Sequence, residues 1–245
     1  VLTMTGLFTT IEMQYLLRFL AGLLGAISFS TAGALASGPF KENPKRNALS
    51  IAILFGTGGG LGIVLAASFI PLMIDLRGNA AWPHCWLVIG LASIFFSPFG
   101  LWAARNLPVS TTAVSEKQSL PVFKMLPEFV GYACFGLGYI VYLTFLSAWM
   151  VSQALGSISI AFIWIILGVC ICVSPFVWKP VFAKFDNGAP LSLILICIAI
   201  GSSIPILSSA FWALIVSSAI FGIAVFMAPG AITNFTRKNL PERMW

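Results

Sequence analysis

Arg18 is the only lysine or arginine set inside an apolar run of this chain. A guanidinium is permanently charged and forked. It can hold a carboxylate or another anion, or it can stretch its long stem to a polar surface. A second group of interest is Tyr132, Tyr139 and Tyr142, spaced by seven and three, with Thr144 nearby. On a helix those spacings put three hydroxyl-tipped rings on one side. A polar stripe on an apolar helix faces a cavity or another helix rather than hydrocarbon, and aromatic packing between helices is the plain alternative. Glycines form a third group. Gly56, Gly58, Gly59, Gly60 and Gly62 strip side chains from one segment, and Gly22 and Gly25 do so in an earlier one. Gly22, Gly25, Gly58, Gly60 and Gly62 are the expected helix-packing positions, because bare backbones approach closely.

Other chemistries lack their parts. Cys85, Cys134, Cys170, Cys172 and Cys197 have no partner histidines and no metal-ligand spacing, so they read as small apolar residues and no metal or cofactor is expected. The one histidine, His84, sits between Trp82 and Trp86 and reads as an interfacial residue. No His/Asp/Glu/Cys cluster has catalytic spacing, so an enzyme is not expected. Glu12 lies six residues before Arg18, off that residue's helix face. Glu128 opens a helix, where the dipole favours a carboxylate.

Composition sets the solvent of these elements. The 245 residues are 59% hydrophobic and 8% charged, with a mean hydropathy of +1.01. A soluble domain is about 25% charged, so lipid must be the solvent here. The net charge of +6 comes from basic residues in short loops, with no continuous patch for nucleic acid.

A spanning helix needs about 20 apolar residues. Residues 1–11 are too short and read as the tail of a helix. Full spans are expected at about 15–37, 48–73, 85–104, 129–151, 157–178, 189–207 and 211–231. Residues 105–127, rich in Ser, Thr and Pro, form the expected linker. This predicts an all-α membrane protein with seven full spans plus a stub. Its parts are a partial N-terminal bundle (1–104), the linker, and a partial C-terminal bundle (128–245). Pro71, Pro175, Pro205 and Pro229 fall near span ends or bends, where spanning helices tolerate them. Alternate connections hold eleven basic residues against one. The positive-inside rule therefore places the 38–47, 105–127 and 179–188 loops and the C-terminus in the cytoplasm.

The chain also repeats itself at an offset of 197. Leu17 meets Leu214, Gly25 meets Gly222, Phe29 meets Phe226, and Gly33-Ala34 meets Gly230-Ala231. Lys41, Pro44 and Arg46 meet Lys238, Pro241 and Arg243. Six helices separate the two starts, so both copies cross in the same direction. This is a parallel repeat, as in transporters built from two six-helix halves. In a twelve-span numbering the first full span is helix 4 and the last is helix 10.

Arg18-Phe-Leu-Ala-Gly22 resembles the arginine–glycine signature in helix 4 of the major facilitator superfamily. Gly138-Tyr139 with Thr144-Phe145-Leu146, and the 58–63 run, are similar to its YbfB/YjiJ branch. Ala21 stands where the signature often has a polar residue, and the 58–63 run lacks an antiporter Gly-Pro pair. Lys184-Phe185-Asp186-Asn187-Gly188 is a worn copy of the superfamily's cytoplasmic loop motif. The resemblance implies a secondary transporter of the inner or plasma membrane, moving a small solute by alternating access. It implies proton coupling at Arg18 and a pore-lining place for the tyrosine helix. With no GxxxxGK[ST] loop to use ATP, an ion gradient would drive it. The few polar residues in the spans suggest a solute that is not highly charged. The alternatives are a truncated remnant that transports nothing and, behind it, a seven-helix receptor-type protein. No span holds a lysine for a retinal Schiff base, and the repeat has no place in that scheme.

The basic asymmetry fixes a topology that reporter fusions measure. Fusions after Arg46, Lys117, Lys184 and Arg243 should read cytoplasmic, and fusions near Asn79 and Gln153 external. An external signal at Lys117 would break the span count.

Overall fold

The computed structural model describes residues 1–40, 44–107 and 122–239. Ten α-helices follow one another there, with no strand among the described residues. They are α1 (Leu2–Leu7), α2 (Ile11–Ser37), α3 (Pro44–Ile53), α4 (Gly59–Arg77), α5 (Trp82–Asn106), α6 (Val122–Ser152), α7 (Ser157–Lys184), α8 (Ala189–Leu207), α9 (Phe211–Val225) and α10 (Ala228–Asn239). Among the described residues seven stretches are long and apolar enough to cross a membrane: Ile11–Phe40, Leu49–Arg77, Asn79–Asn106, Met125–Ser152, Ser157–Lys184, Ala189–Leu207 and Phe211–Thr233. The all-α, seven-span architecture read from composition is the one found.

The boundaries differ in instructive ways. The stub is a separate short helix, and Glu12 belongs to the first turn of α2. The side-chain amide of Gln14 holds the joint, donating to the carbonyls of Thr5 at 2.9 Å and Phe8 at 2.5 Å. Helix α6 reaches back to Val122, so the end of the expected linker is helical. Residues 108–121 of that linker, with Lys117, lie outside the described residues, as do Lys41, Pro241 and Arg243. The second span contains a π-helical turn, Leu54–Gly58, between α3 and α4. The seventh span is broken at Phe226-Met227 rather than continuous. Pro229 has no N–H to offer the Val225 carbonyl, so the helix restarts there. Met227 N–H closes a tighter step onto the Ala224 carbonyl at 3.0 Å. The indole N–H of Trp178 donates to the nearby Ile223 carbonyl at 2.7 Å.

The dense core lies among α6 to α10. Phe221, Met150, Ile163, Leu167, Ile171 and Ile194 have no exposed surface. By contrast, Phe19 and Leu23 of α2 and Phe95 and Phe99 of α5 are exposed. In a bilayer such residues meet acyl chains as apolar as themselves. Helix α1 rests on α5 backbone to backbone, since a Cβ on Gly90 would fall 2.7 Å from the Thr3 Cα.

Prolines shape several spans, and each of three leaves a carbonyl that a hydroxyl recovers. A proline at position i cannot donate to the carbonyl at i−4. Pro98 leaves Ile94, and Ser97 Oγ donates to that oxygen at 2.7 Å. Pro175 leaves Ile171, and Ser174 Oγ donates to it at 2.7 Å. Pro205 leaves Gly201 in α8, and there the donor comes from another helix: Ser217 Oγ of α9, at 2.6 Å. With its one proton committed, Ser217 can only accept from Tyr142 Oη of α6, 2.8 Å away. One buried serine therefore ties three helices together.

Ser217→Ala should cost about 1–3 kcal/mol, the usual penalty for a buried acceptor left unpaired. Pro205→Ala restores an N–H for the Gly201 carbonyl and should shrink that cost in the double variant. A double-mutant cycle by denaturant titration in micelles measures the coupling. Strict additivity would show that the hydroxyl does not compensate the proline.

Candidate functional site

Helices α4 and α7 form the tightest seam between the two ends of the chain. Gly60 and Gly168 face each other: a Cβ on Gly60 would sit 2.5 Å from the Gly168 carbonyl and 2.7 Å from the Cys172 backbone nitrogen. One turn away, a Cβ on Gly56 would meet the Pro175 ring at 2.6 Å and Met227 Cε at 3.0 Å. Thr57 Oγ1 donates to the Cys172 carbonyl at 3.1 Å, and Cys172 Sγ reaches back to the Thr57 carbonyl at 3.5 Å. The Cys172 carbonyl lies three residues before Pro175, where the ring loosens the helix ladder. At the far end of α4, Ser157 Oγ donates to Asp75 Oδ1 at 3.2 Å.

Beside this seam is an open, apolar cavity of about 400 Å³ on the flank of α2, where Gly25, Ser28 and Phe29 are exposed. Gly25, Ser28, Phe29 and Ala32 of α2 form one wall. Leu54 and Phe55 of the π-helical turn form the second, and Gly59 with Phe226 the third. The Phe29 and Phe55 rings stack at 4.0 Å. The Phe226 ring lies directly on Gly59, where a Cβ would meet it at 2.7 Å. π-Turns concentrate at functional sites because an extra residue re-aims the side chains around it. Here the turn carries Phe55 to the cavity, while Gly56 and Thr57 serve the seam.

The expected site residues fall in three places. Arg18 is exposed on α2, with its guanidinium carbon 4.4 Å from the centre of the Trp86 ring on α5. It lies seven residues into the helix, roughly 10 Å along its axis. Tyr132 and Tyr139 stack on either side of Phe135, at 5.6 and 4.6 Å. Tyr142 is buried, stacked on Phe221 at 4.0 Å and bonded to Ser217. The structure thus brings the three tyrosines onto the core-facing side of α6, and Thr144 is exposed apart from them. Of the five expected packing glycines, Gly60 makes a backbone contact. A Cβ at Gly22, Gly25, Gly58 or Gly62 would meet nothing within 4 Å. Gly25 opens on the cavity instead. Phe29, Phe55, Gly59 and Phe226 were not singled out as site residues from the sequence. The usable signal was the repeat, which pairs Phe29 with Phe226.

Residues 1–244 match the family model described as "Uncharacterised MFS-type transporter YbfB". No curated protein and no solved structure matches the chain.

Gly60→Ala should destabilise the chain by about 1–3 kcal/mol, because its Cβ meets backbone that cannot step aside. Gly62→Ala, two residues on in open space, should be neutral or gain up to about 1 kcal/mol of helix propensity. Thermal denaturation in detergent compares the two. Equal midpoints would mean that the seam is looser than its geometry.

Proposed function

We propose, from the premise that this chain belongs to the YbfB family of MFS-type transporters, that it moves a small solute by alternating access around the cavity beside the α4–α7 seam. It is a multi-pass membrane transporter. Phe29 and Phe226 carry the finer reading: they occupy equivalent positions in the two repeats and line one cavity. In repeat-built transporters the solute site lies where the repeats meet, and one bundle rocks against the other around it. The rocking bodies would be 1–104 and 128–245, joined through the 105–127 linker. The Gly60–Gly168 contact supports a pivot, since backbones without side chains can roll on one another. The Asp75–Ser157 bond supports an outer latch beyond that pivot.

An ion gradient is the proposed energy source, with the proton as coupling ion and Arg18 as the side chain that responds to it. The Arg18–Trp86 contact is the arrangement such a role would have to break and remake. Tyr132, Tyr139, Tyr142 and Thr144 then belong to the C-terminal bundle that moves, with Tyr142 as a fixed strut within it. The proposed location is the inner or plasma membrane, with the 105–127 loop and the C-terminus cytoplasmic.

The test is uptake into vesicles under an imposed proton gradient. A disulfide between Asp75→Cys and Ser157→Cys, in a chain cleared of its native cysteines, should reduce uptake to background and release it on reduction. Uptake unaffected by the cross-link would sink alternating access about this seam. In the same assay, Arg18→Leu should abolish gradient-driven uptake at unchanged protein level, and uptake equal to the parent would remove Arg18 from coupling.

A further inference from the structure

We infer that the cavity takes an uncharged, flat, ring-bearing solute, and that Gly25 sets the room available to it. This rests on the transport reading above for the cavity's role in the membrane. The substrate class follows from the lining. Three phenylalanine rings reach the space from three elements, and Phe29 and Phe55 already stack at 4.0 Å. A planar guest extends such a stack with the same offset geometry that aromatic pairs prefer. Among the described residues the one hydroxyl in the wall is Ser28, which suits a single polar substituent on the ring.

Charge is disfavoured from both signs. Aromatic faces attract a cation, but among the described residues no carboxylate lines this wall to replace its hydration. An anion would find no cationic partner among the described lining residues, and an unpaired charge within a bilayer is costly.

Gly25 gives the inference its handle. Its equivalent in the other repeat, Gly222, is closed by a neighbouring helix: a Cβ there would fall 2.6 Å from the Leu167 carbonyl. At Gly25 no helix arrives among the described residues, and a Cβ would meet nothing described within 4 Å. The smooth backbone that receives α7 in one copy faces open space in the other. A Cβ at this position would stand at the cavity wall with nothing described within 4 Å of it.

The experiment measures binding to the chain in lipid nanodiscs by equilibrium dialysis, with empty nanodiscs subtracted. The probes are 2-naphthol (uncharged ring), phenyltrimethylammonium (cationic ring) and sorbitol (uncharged, no ring). Saturable binding is expected for 2-naphthol, with the other two at least tenfold weaker. Gly25→Leu should weaken 2-naphthol binding at least tenfold. Gly22→Leu, on the same helix and also in open space, should leave it unchanged. Non-saturable 2-naphthol uptake, equal binding to Gly25→Leu and the parent, or tighter binding of either other probe would overturn the inference. Saturable, Gly25-dependent binding together with failed vesicle uptake would leave the ligand class standing and remove the transport reading alone.

Discussion

A backbone carbonyl without a partner is far more costly in hydrocarbon than at a wet surface, and this chain is shaped by that constraint. It places prolines inside spanning helices and recovers the oxygens that three of them strand. Two of the three recoveries, at Pro98 and Pro175, use the serine immediately before the proline. These are local and leave the rest of the structure unaffected. The third reaches across helices, from Ser217 to Gly201, and draws Tyr142 into the same bond network. The packing of α6, α8 and α9 thus depends on a hydrogen bond that exists because Pro205 cannot make its own.

Bare backbone works in the opposite sense at the α4–α7 seam. Gly60 and Gly168 bring two helices close enough that nothing larger fits. Without a hydrophobic driving force between helices in lipid, such close van der Waals contact is what holds them. The same close approach leaves Phe55 and Phe226 beside the seam, because the π-helical turn and the α9–α10 break both sit at its end. Tight packing and the cavity are therefore two consequences of one arrangement.

Much of this was legible in the sequence, and the rest was hidden for physical reasons. Hydropathy and length fix the spans because lipid imposes one dimension on all of them. The chain matching Lys, Pro and Arg at an offset of 197 exposes the repeat. Which glycines touch was not legible: spacing shows that Gly58, Gly60 and Gly62 share a helix, but the contact depends on where α7 lies. The seventh span looks continuous by hydropathy, because Met227 and Ala228 are as apolar as their neighbours, while the break is set by hydrogen-bond geometry. The tyrosine stripe was legible as a stripe, and its partners Phe221 and Ser217 were not, since they lie more than 70 residues away.

Between the two stretches matched at an offset of 197, one sequence difference changes the course of the backbone. Pro229 stands where the first copy has Ala32. With alanine at that position, α2 runs unbroken from Ile11 to Ser37, and Phe29 projects from a continuous helix. With proline, the helix stops at Val225 and restarts at Ala228, leaving Phe226 at the step between. A strictly symmetric pair would hold both phenylalanines in the same helical setting, each against its own neighbours. Breaking one copy instead seats Phe226 on Gly59, at the edge of the space that Phe29 and Phe55 already line. Phe29 and Phe226, matched at the offset of 197, thus line one cavity from two different backbones, a continuous helix and a break.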